Sequence, residues 1–441
     1  MQLETIHFSL KELISLIIIT VSGLLMAVAF QFQLLIGFMP GFIFLIYQLL
    51  KKGISFKSIR LTGYKGIYRN REIIWLLSLI GILLPSWAII GTVPNMVSFI
   101  LSVINPEHFL VSSFLMTMVI SMTLGTSVGS LSVIGLPLMG TAQALGVPLE
   151  WTAGALISGA FVGDRSSPLS SAFQLLATSL EIQTKKQFNA IMPTALLTIC
   201  VSSFLFILLD RSLTLDAYKQ PVISMGEMMS DWIVFLPVIL LIAGVIVGVR
   251  IRYSFFISIG AAFAIVLIKG ISVLKWGQVV LNGIDGIGGL MTMIPFIIFI
   301  SVVGIYSEML ERYQIVQPYI NKLLTNDHSL TVNSVQGVTL ALFVSLISPN
   351  QSFPIILNGR MLLPHWTKHF NSKELARVVS DSTMVYAGLV PWSLLAVLCS
   401  TIVGVSVIHY VFFAFFLWLS PLITILYSII REKRWSIAHE M

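Results

Sequence analysis

The chain has 441 residues, of which 56% are hydrophobic and only 10% charged, with a net charge of +7. Soluble globular domains carry about a quarter charged residues. A mean hydropathy of +0.94 therefore excludes a water-soluble enzyme or binding module and makes the bilayer the solvent. The positive balance does not indicate nucleic acid, because the basic residues gather in short loops between apolar runs, as cytoplasmic loops do.

A crossing helix needs roughly 20 apolar residues. In chain order the predicted spans are 13–30, 33–50, 73–93, 109–124, 188–209, 232–249, 253–269, 289–306, 331–348, 383–400 and 403–430, with 131–146 and 152–180 shorter or interrupted. The fold expected is an all-α polytopic membrane protein with about 11–13 transmembrane segments, forming a single transmembrane unit over 1–441. The polar N-terminus MQLETIHFSLKE does not read as a cleavable signal. Lys51, Lys52, Lys57, Arg60, Lys65, Arg69 and Arg71 fill one loop, which the positive-inside rule puts in the cytoplasm with both termini. Lys185-Lys186, Arg250 with Arg252, 360–377 and 431–434 read the same way, whereas Asp210 to Asp231 reads as external. Trp87, Trp151, Trp232, Trp276, Trp366, Trp418 and Trp435 lie mostly near predicted span ends, as an interfacial belt would. The expected location is the plasma membrane.

Cys200 and Cys399 lie in apolar spans, which argues against disulfides and thiolate metal sites. His365 and His369 are spaced i,i+4 but sit in a basic stretch with only Glu374 nearby, and read as solvated loop. No GxxxxGK(S/T) motif occurs, so neither ATP nor another cofactor is called for, and any transport must be secondary.

Charge inside the apolar spans is scarce. Asp164 and Asp381 look central, with Asp285 and Glu308 borderline. Asp164 lies in GAFVGDRSSPLSSAF, Gly159 to Phe173, and a second window, SLISPNQSFPII, matches it at constant offset: Asn350 for Asp164, Ser352 for Ser166, Pro354 for Pro168. Proline removes an amide donor and glycine costs helix stability. Free backbone groups at membrane depth survive only where protein buries them or water reaches them. Paired Gly/Pro-interrupted segments in the two halves mark a transporter's central site. Asp164 is thus expected on a broken helix or re-entrant hairpin, with Gly163, Pro168 and Pro354 among the helix breakers. A carboxylate in lipid is too costly to keep idly.

Two further segments qualify. GTSVGSLSVIGLPLMG, 125–140, offers Gly125, Thr126 and Ser127, read equally well as close helix packing. DSTMVYAGLVPWSLLA begins at Asp381-Ser382 and contains Pro391; its first residues suit either an N-cap or a binding role.

Gly163-Asp164-Arg165-Ser166-Ser167-Pro168-Leu169-Ser170 resembles the GD(K/R)xSPxS signature of NhaC-type Na+/H+ antiporters. GTSVGSLSVIGLPLMG is similar to their GTSWGTxGTIGxxLMG, Asn358-Gly359-Arg360-Met361 to PGRMF, and Asp381-Ser382 with Val390-Pro391-Trp392-Ser393 to EDSGTxxxxLxPWN. The resemblance implies an ion-transporter-superfamily architecture of two inverted repeats, here placed at 73–210 and 232–430, each with scaffold helices and a mobile part carrying re-entrant hairpins. It also implies exchange of Na+ for H+, or coupled movement of malate, lactate or amino acids. Three family acids and one amide are replaced: the residue after Ser170 is Ser171, GDQ becomes Pro349-Asn350-Gln351, the residue before Asp381 is Ser380, and the Asn after PW is Ser393.

The leading expectation is antiport in which Na+ and H+ compete for one buried carboxylate, since desolvation favours the protonated form and bound Na+ the ionised one. Asp164 is the carboxylate and Na+ ligand expected, with Thr126, Ser127, Ser166, Ser167, Ser170, Asn350, Ser352, Asp381 and Ser382 as further ion or substrate ligands. The alternative is Na+- or H+-coupled transport of an organic acid or amino acid, its carboxylate paired with Arg165 or Arg360. Against that, Arg165 is expected to snorkel to the interface. An intramembrane aspartyl protease using Asp164 and Asp381 is disfavoured, because the YD and GxGD patterns are missing. The partners expected are Na+, H+, the bilayer and a small organic solute, with a homodimer left open.

Overall fold

The computed structural model describes residues 8–30, 32–213, 231–284, 286–319, 329–348 and 350–440. Asp285, His328, Pro349 and the interior of the 210–231 segment, with Asp216 and Glu227, lie outside the described residues, as do both chain ends. The molecule is an all-α polytopic membrane protein. Among the described residues ten helices are long and apolar enough to cross a bilayer, or eleven counting one pair bent by 87°.

The helices in order are α1 (Leu10–Ala29), α2 (Leu34–Lys51), α3 (Phe56–Arg69), α4 (Arg71–Ile89), α5 (Thr92–Val103), α6 (Phe109–Leu124), α7 (Ser127–Leu145), α8 (Leu149–Ser166), α9 (Ser171–Ser179) and α10 (Thr184–Ser212). The second half holds α11 (Leu236–Ile246), α12 (Ile251–Ile268), α13 (Val273–Asn282), α14 (Leu290–Arg312), α15 (Leu330–Ile347), α16 (Ser352–Trp366), α17 (Ser372–Asp381), α18 (Thr383–Tyr386), α19 (Leu394–Val403), α20 (Val407–Tyr410) and α21 (Phe415–Glu440). A two-residue hairpin, Gly283–Ile284 with Ile287–Gly288, precedes α14.

The packing sorts these helices into two groups. One holds α1 to α4 with α11 to α14; the other holds α6 to α10 with α15 to α21. Each half of the chain contributes to both. Helix α5 is the main bridge, packing on α4 in one group and on α7 in the other. Apolar side chains such as Ile18, Ile36, Phe204 and Ile298 stay exposed, as lipid-facing surfaces require.

Several expectations change. The 51–72 segment is not a loop: Ser55 caps α3 by accepting from Ser58 N at 3.2 Å, and Gly66 lets α3 lie on α14, where a Cβ would sit 2.4 Å from Gly304 O. Segment 131–146 belongs to the continuous α7, while 383–400 and 403–430 are each interrupted. The 360–377 stretch is mostly helical, and its Arg377 is buried, pairing with Glu374 at 3.0 Å and donating to Thr424 O and Ser428 Oγ at 2.8 Å each. Trp87 and Trp366 are core residues, not interfacial ones; Trp87 donates to Ser258 Oγ at 3.1 Å. His365 bonds Asn333 Oδ1 at 3.0 Å. Among the described residues no three His, Cys, Asp or Glu side chains gather for a metal.

Candidate functional site

The site lies where the joints of the second group meet. Helix α8 carries Asp164, Arg165 and Ser166 in its last turn, residues 167–170 are non-helical, and Ser170 caps α9 by accepting from Phe173 N at 3.3 Å. Pro168, without an amide hydrogen, falls in this joint. Gly163 does not break the helix. It lies inside α8, where a Cβ would come within 2.1 Å of the Ser121 carbonyl carbon, so its small size serves close approach to α6. Gly125 ends α6 in the left-handed conformation, φ 67°, and a Cβ there would meet Leu169 C at 2.6 Å. The α6–α7 joint therefore touches the α8–α9 joint, and Ser167 Oγ adds a bond to Met122 O at 2.8 Å. Thr126 caps α7, and the Oγ of buried Ser127 has no hydrogen-bond partner among the described residues.

In the second half, α15 ends at Ile347 and α16 starts at Ser352. Pro354 thus occupies the first turn of a helix, where its missing amide costs nothing, and does not interrupt one. The two windows match as sequence but are displaced as structure: Asp164 is helical, whereas Asn350 is in the joint. Asn350 Nδ2 donates to Asn70 Oδ1 at 3.2 Å, tying this joint to the α3–α4 junction of the other group, and Ser352 N donates to Asn350 Oδ1 at 3.0 Å. The residue that reaches Asp164 is Gln351, whose Nε2 donates to Asp164 Oδ2 at 3.1 Å and to Met384 O at 3.2 Å. Ser170 Oγ donates to Asp164 Oδ1 at 3.4 Å. Asp164 is buried, and these neutral groups are its only partners among the described residues.

Asp381 differs. It ends α17 and caps nothing; Ser382, at the kink before α18, donates to Val378 O at 2.6 Å. Asp381 Oδ1 is paired with Arg165 Nη2, and both side chains are fully buried. Arg165 therefore does not snorkel. Burying it without a partner would cost too much, and Asp381, Thr194 Oγ1 at 3.2 Å and Ser166 Oγ at 2.9 Å surround it instead. Among the described residues Asp381 Oδ2 and Arg165 Nε have no hydrogen-bond partner. Each carboxylate thus has its own set of partners, unlike a proton-sharing protease dyad. Pro391 lies in the unwound stretch between α18 and α19, which Trp392 pins by donating to Leu346 O at 2.9 Å. Sequence reasoning passed over Gln351, Thr194 and Met384. Gln351 alone had a signal, as the one residue of Pro349-Asn350-Gln351 that keeps the GDQ pattern.

The Na+/H+ antiporter family profile matches residues 216–430. The Na(+)/H(+) antiporter NhaC of Bacillus subtilis is 28% identical over 86% of this chain and 88% of its own, and that of Alkalihalophilus pseudofirmus 26% over 80% and 81%. These matches support an NhaC-type Na+/H+ antiporter. They support a secondary transporter rather than an enzyme. A Malate-2H(+)/Na(+)-lactate antiporter of B. subtilis is also similar, at 23% identity over 91% of both chains.

Proposed function

We propose that the protein exchanges Na+ for H+, with both ions competing for the Asp164 carboxylate. One observation carries this reading: of the two buried carboxylates at the joints, Asp381 is neutralised by Arg165 while Asp164 meets only a hydroxyl and an amide. Asp164 alone has a charge to offer a cation or a proton. A bound Na+ would exchange the Gln351 or Ser170 hydrogen bond for coordination, and neutral oxygens from the joints would complete a hard-cation shell. A proton on the same carboxylate removes the charge that holds Na+, so occupation is exclusive. Competition combined with access from alternate sides is sufficient for antiport. The two weakly joined helix groups, each built from both halves of the chain, supply bodies that can move past one another. The relation of 73–210 to 232–430 as inverted repeats, and basic loops facing the cytoplasm, belong to the same proposal.

The test is exchange in proteoliposomes under an imposed pH gradient. Asp164→Asn should reduce Na+-dependent proton movement to that of protein-free vesicles while still inserting and folding. Wild-type exchange by the purified Asn variant would refute the assignment.

A second reading has one observation in its favour. Arg165 is engaged by Asp381, but Arg360 is exposed and lines a crevice of about 190 Å³ with Gln314, Gln317, Phe353 and Glu311, the last already paired with Arg69. A solute carboxylate could pair with it there. Under this reading Arg360→Gln abolishes solute-dependent flux and leaves Na+/H+ exchange intact; unchanged solute flux in the variant eliminates it.

A further inference from the structure

The basic segment between α2 and α4 is unexplained by ion exchange. Helix α3 buries Ile59, Thr62, Gly63 and Gly66 against its neighbours, yet leaves Phe56, Tyr64 and Tyr68 exposed at 67%, 68% and 53%. Exposed aromatics beside lysine and arginine characterise a helix lying at the membrane interface. Between α2, α3 and α14 runs a groove of about 380 Å³, walled by Phe42, Ile46, Ile59, Ile67 and Met309. Its one charged lining residue is Arg60. Lys57, one turn earlier on the same face, and Arg60 have no acidic partner among the described residues. Two other basic side chains nearby are paired with acids: Lys52 with Glu12 at 2.8 Å, and Arg69 with Glu308 at 3.2 Å. An apolar trough with Arg60 in its wall and Lys57 one helical turn away is complementary to an anionic amphiphile. Basic pockets between membrane helices hold acidic lipid headgroups for the same reason.

We infer that this groove is a binding site for an anionic phospholipid, its acyl chain along Ile46, Ile59 and Met309 and its phosphate on Lys57 and Arg60. The bound lipid fills the space between α3 and α14 next to the α3–α4 junction. That junction carries Asn70, the hydrogen-bond partner of Asn350. The lipid thereby braces the group of helices against which the ion site would move.

The test uses full-length protein delipidated in neutral detergent, titrated with phosphatidylglycerol or phosphatidylcholine and read by native mass spectrometry. Wild type should prefer phosphatidylglycerol roughly thirtyfold, as expected for two basic side chains at a headgroup. The preference should shrink as salt rises. Lys57→Gln/Arg60→Gln should lower it to near unity, whereas Lys185→Gln/Lys186→Gln, elsewhere on the molecule, should keep it. Ile67→Trp, which fills the groove without altering charge, should weaken binding of both lipids. No preference in wild type, or its retention in Lys57→Gln/Arg60→Gln, would overturn the site. Displacement of phosphatidylglycerol by equimolar glycerol 3-phosphate would also overturn it, showing a phosphate site without an acyl groove. So would a cross-linked dimer burying α3, which would make a second copy of the chain the occupant. None of these outcomes depends on which ions are transported.

Discussion

Asp164 and Asp381 are both buried, both carried on the last turn of a helix, and both next to a break in it, yet their surroundings are opposite. Asp381 faces a guanidinium that is itself held by Thr194 and Ser166. Asp164 faces Gln351 and Ser170. A carboxylate with a fixed internal countercharge is a structural element: it joins α8 to α17, and its charge is already spent. A carboxylate with neutral partners keeps its charge available and tolerates a change of occupant. Adjacent residues of α8 therefore do different work, because successive helical side chains point in different directions: Arg165 points toward α10 and α17, Asp164 toward the joints.

Breaking the charged half of the comparison should have the largest effect. Arg165→Met leaves Asp381 buried without its countercharge and should destabilise the protein by about 3–5 kcal/mol, measured by thermal unfolding in detergent. Arg165→Met/Asp381→Leu removes both charges and should recover most of that loss, since apolar replacement of a whole buried pair is often neutral. Failure of the double variant to recover would show that the pair is not the main role of either residue. Gln351→Leu removes a hydrogen bond to a charged group, a contribution of about 1.5–3 kcal/mol. It should weaken half-saturating Na+ in proteoliposome exchange by roughly tenfold or more, with a smaller change in unfolding than Arg165→Met causes. Asn70→Ala breaks one neutral bond between the two helix groups, and hydrogen–deuterium exchange at the 348–352 joint should rise by an amount corresponding to about 1 kcal/mol. Smallest of all should be the stability effect of Asp164→Asn, within about 1 kcal/mol of wild type, because its partners are neutral and an amide can still bond them. A large loss of stability there would mean that Asp164, like Asp381, is a structural group.

Composition and hydropathy alone determined that this chain is a helical membrane protein, since so little charge cannot cover a soluble surface. Most spans were legible to within a few residues because length and apolarity are local properties; α6, read as 109–124, is Phe109–Leu124. The unusual chemistry around Asp164, Asn350 and Asp381 was legible too, because charge, proline and clustered hydroxyls stand out against an apolar background. Partnership was not. Arg165 with Asp381, Gln351 with Asp164 and Asn350 with Asn70 join residues 216, 187 and 280 positions apart. No local pattern encodes a contact of that range. The role of Gly163 was hidden for the same reason: glycine reads alike whether it breaks a helix or admits a neighbour, and only the position of Ser121 decides which. Sequence marked the residues too costly to bury without a purpose, and tertiary packing decided which of them spend their charge on each other and which keep it.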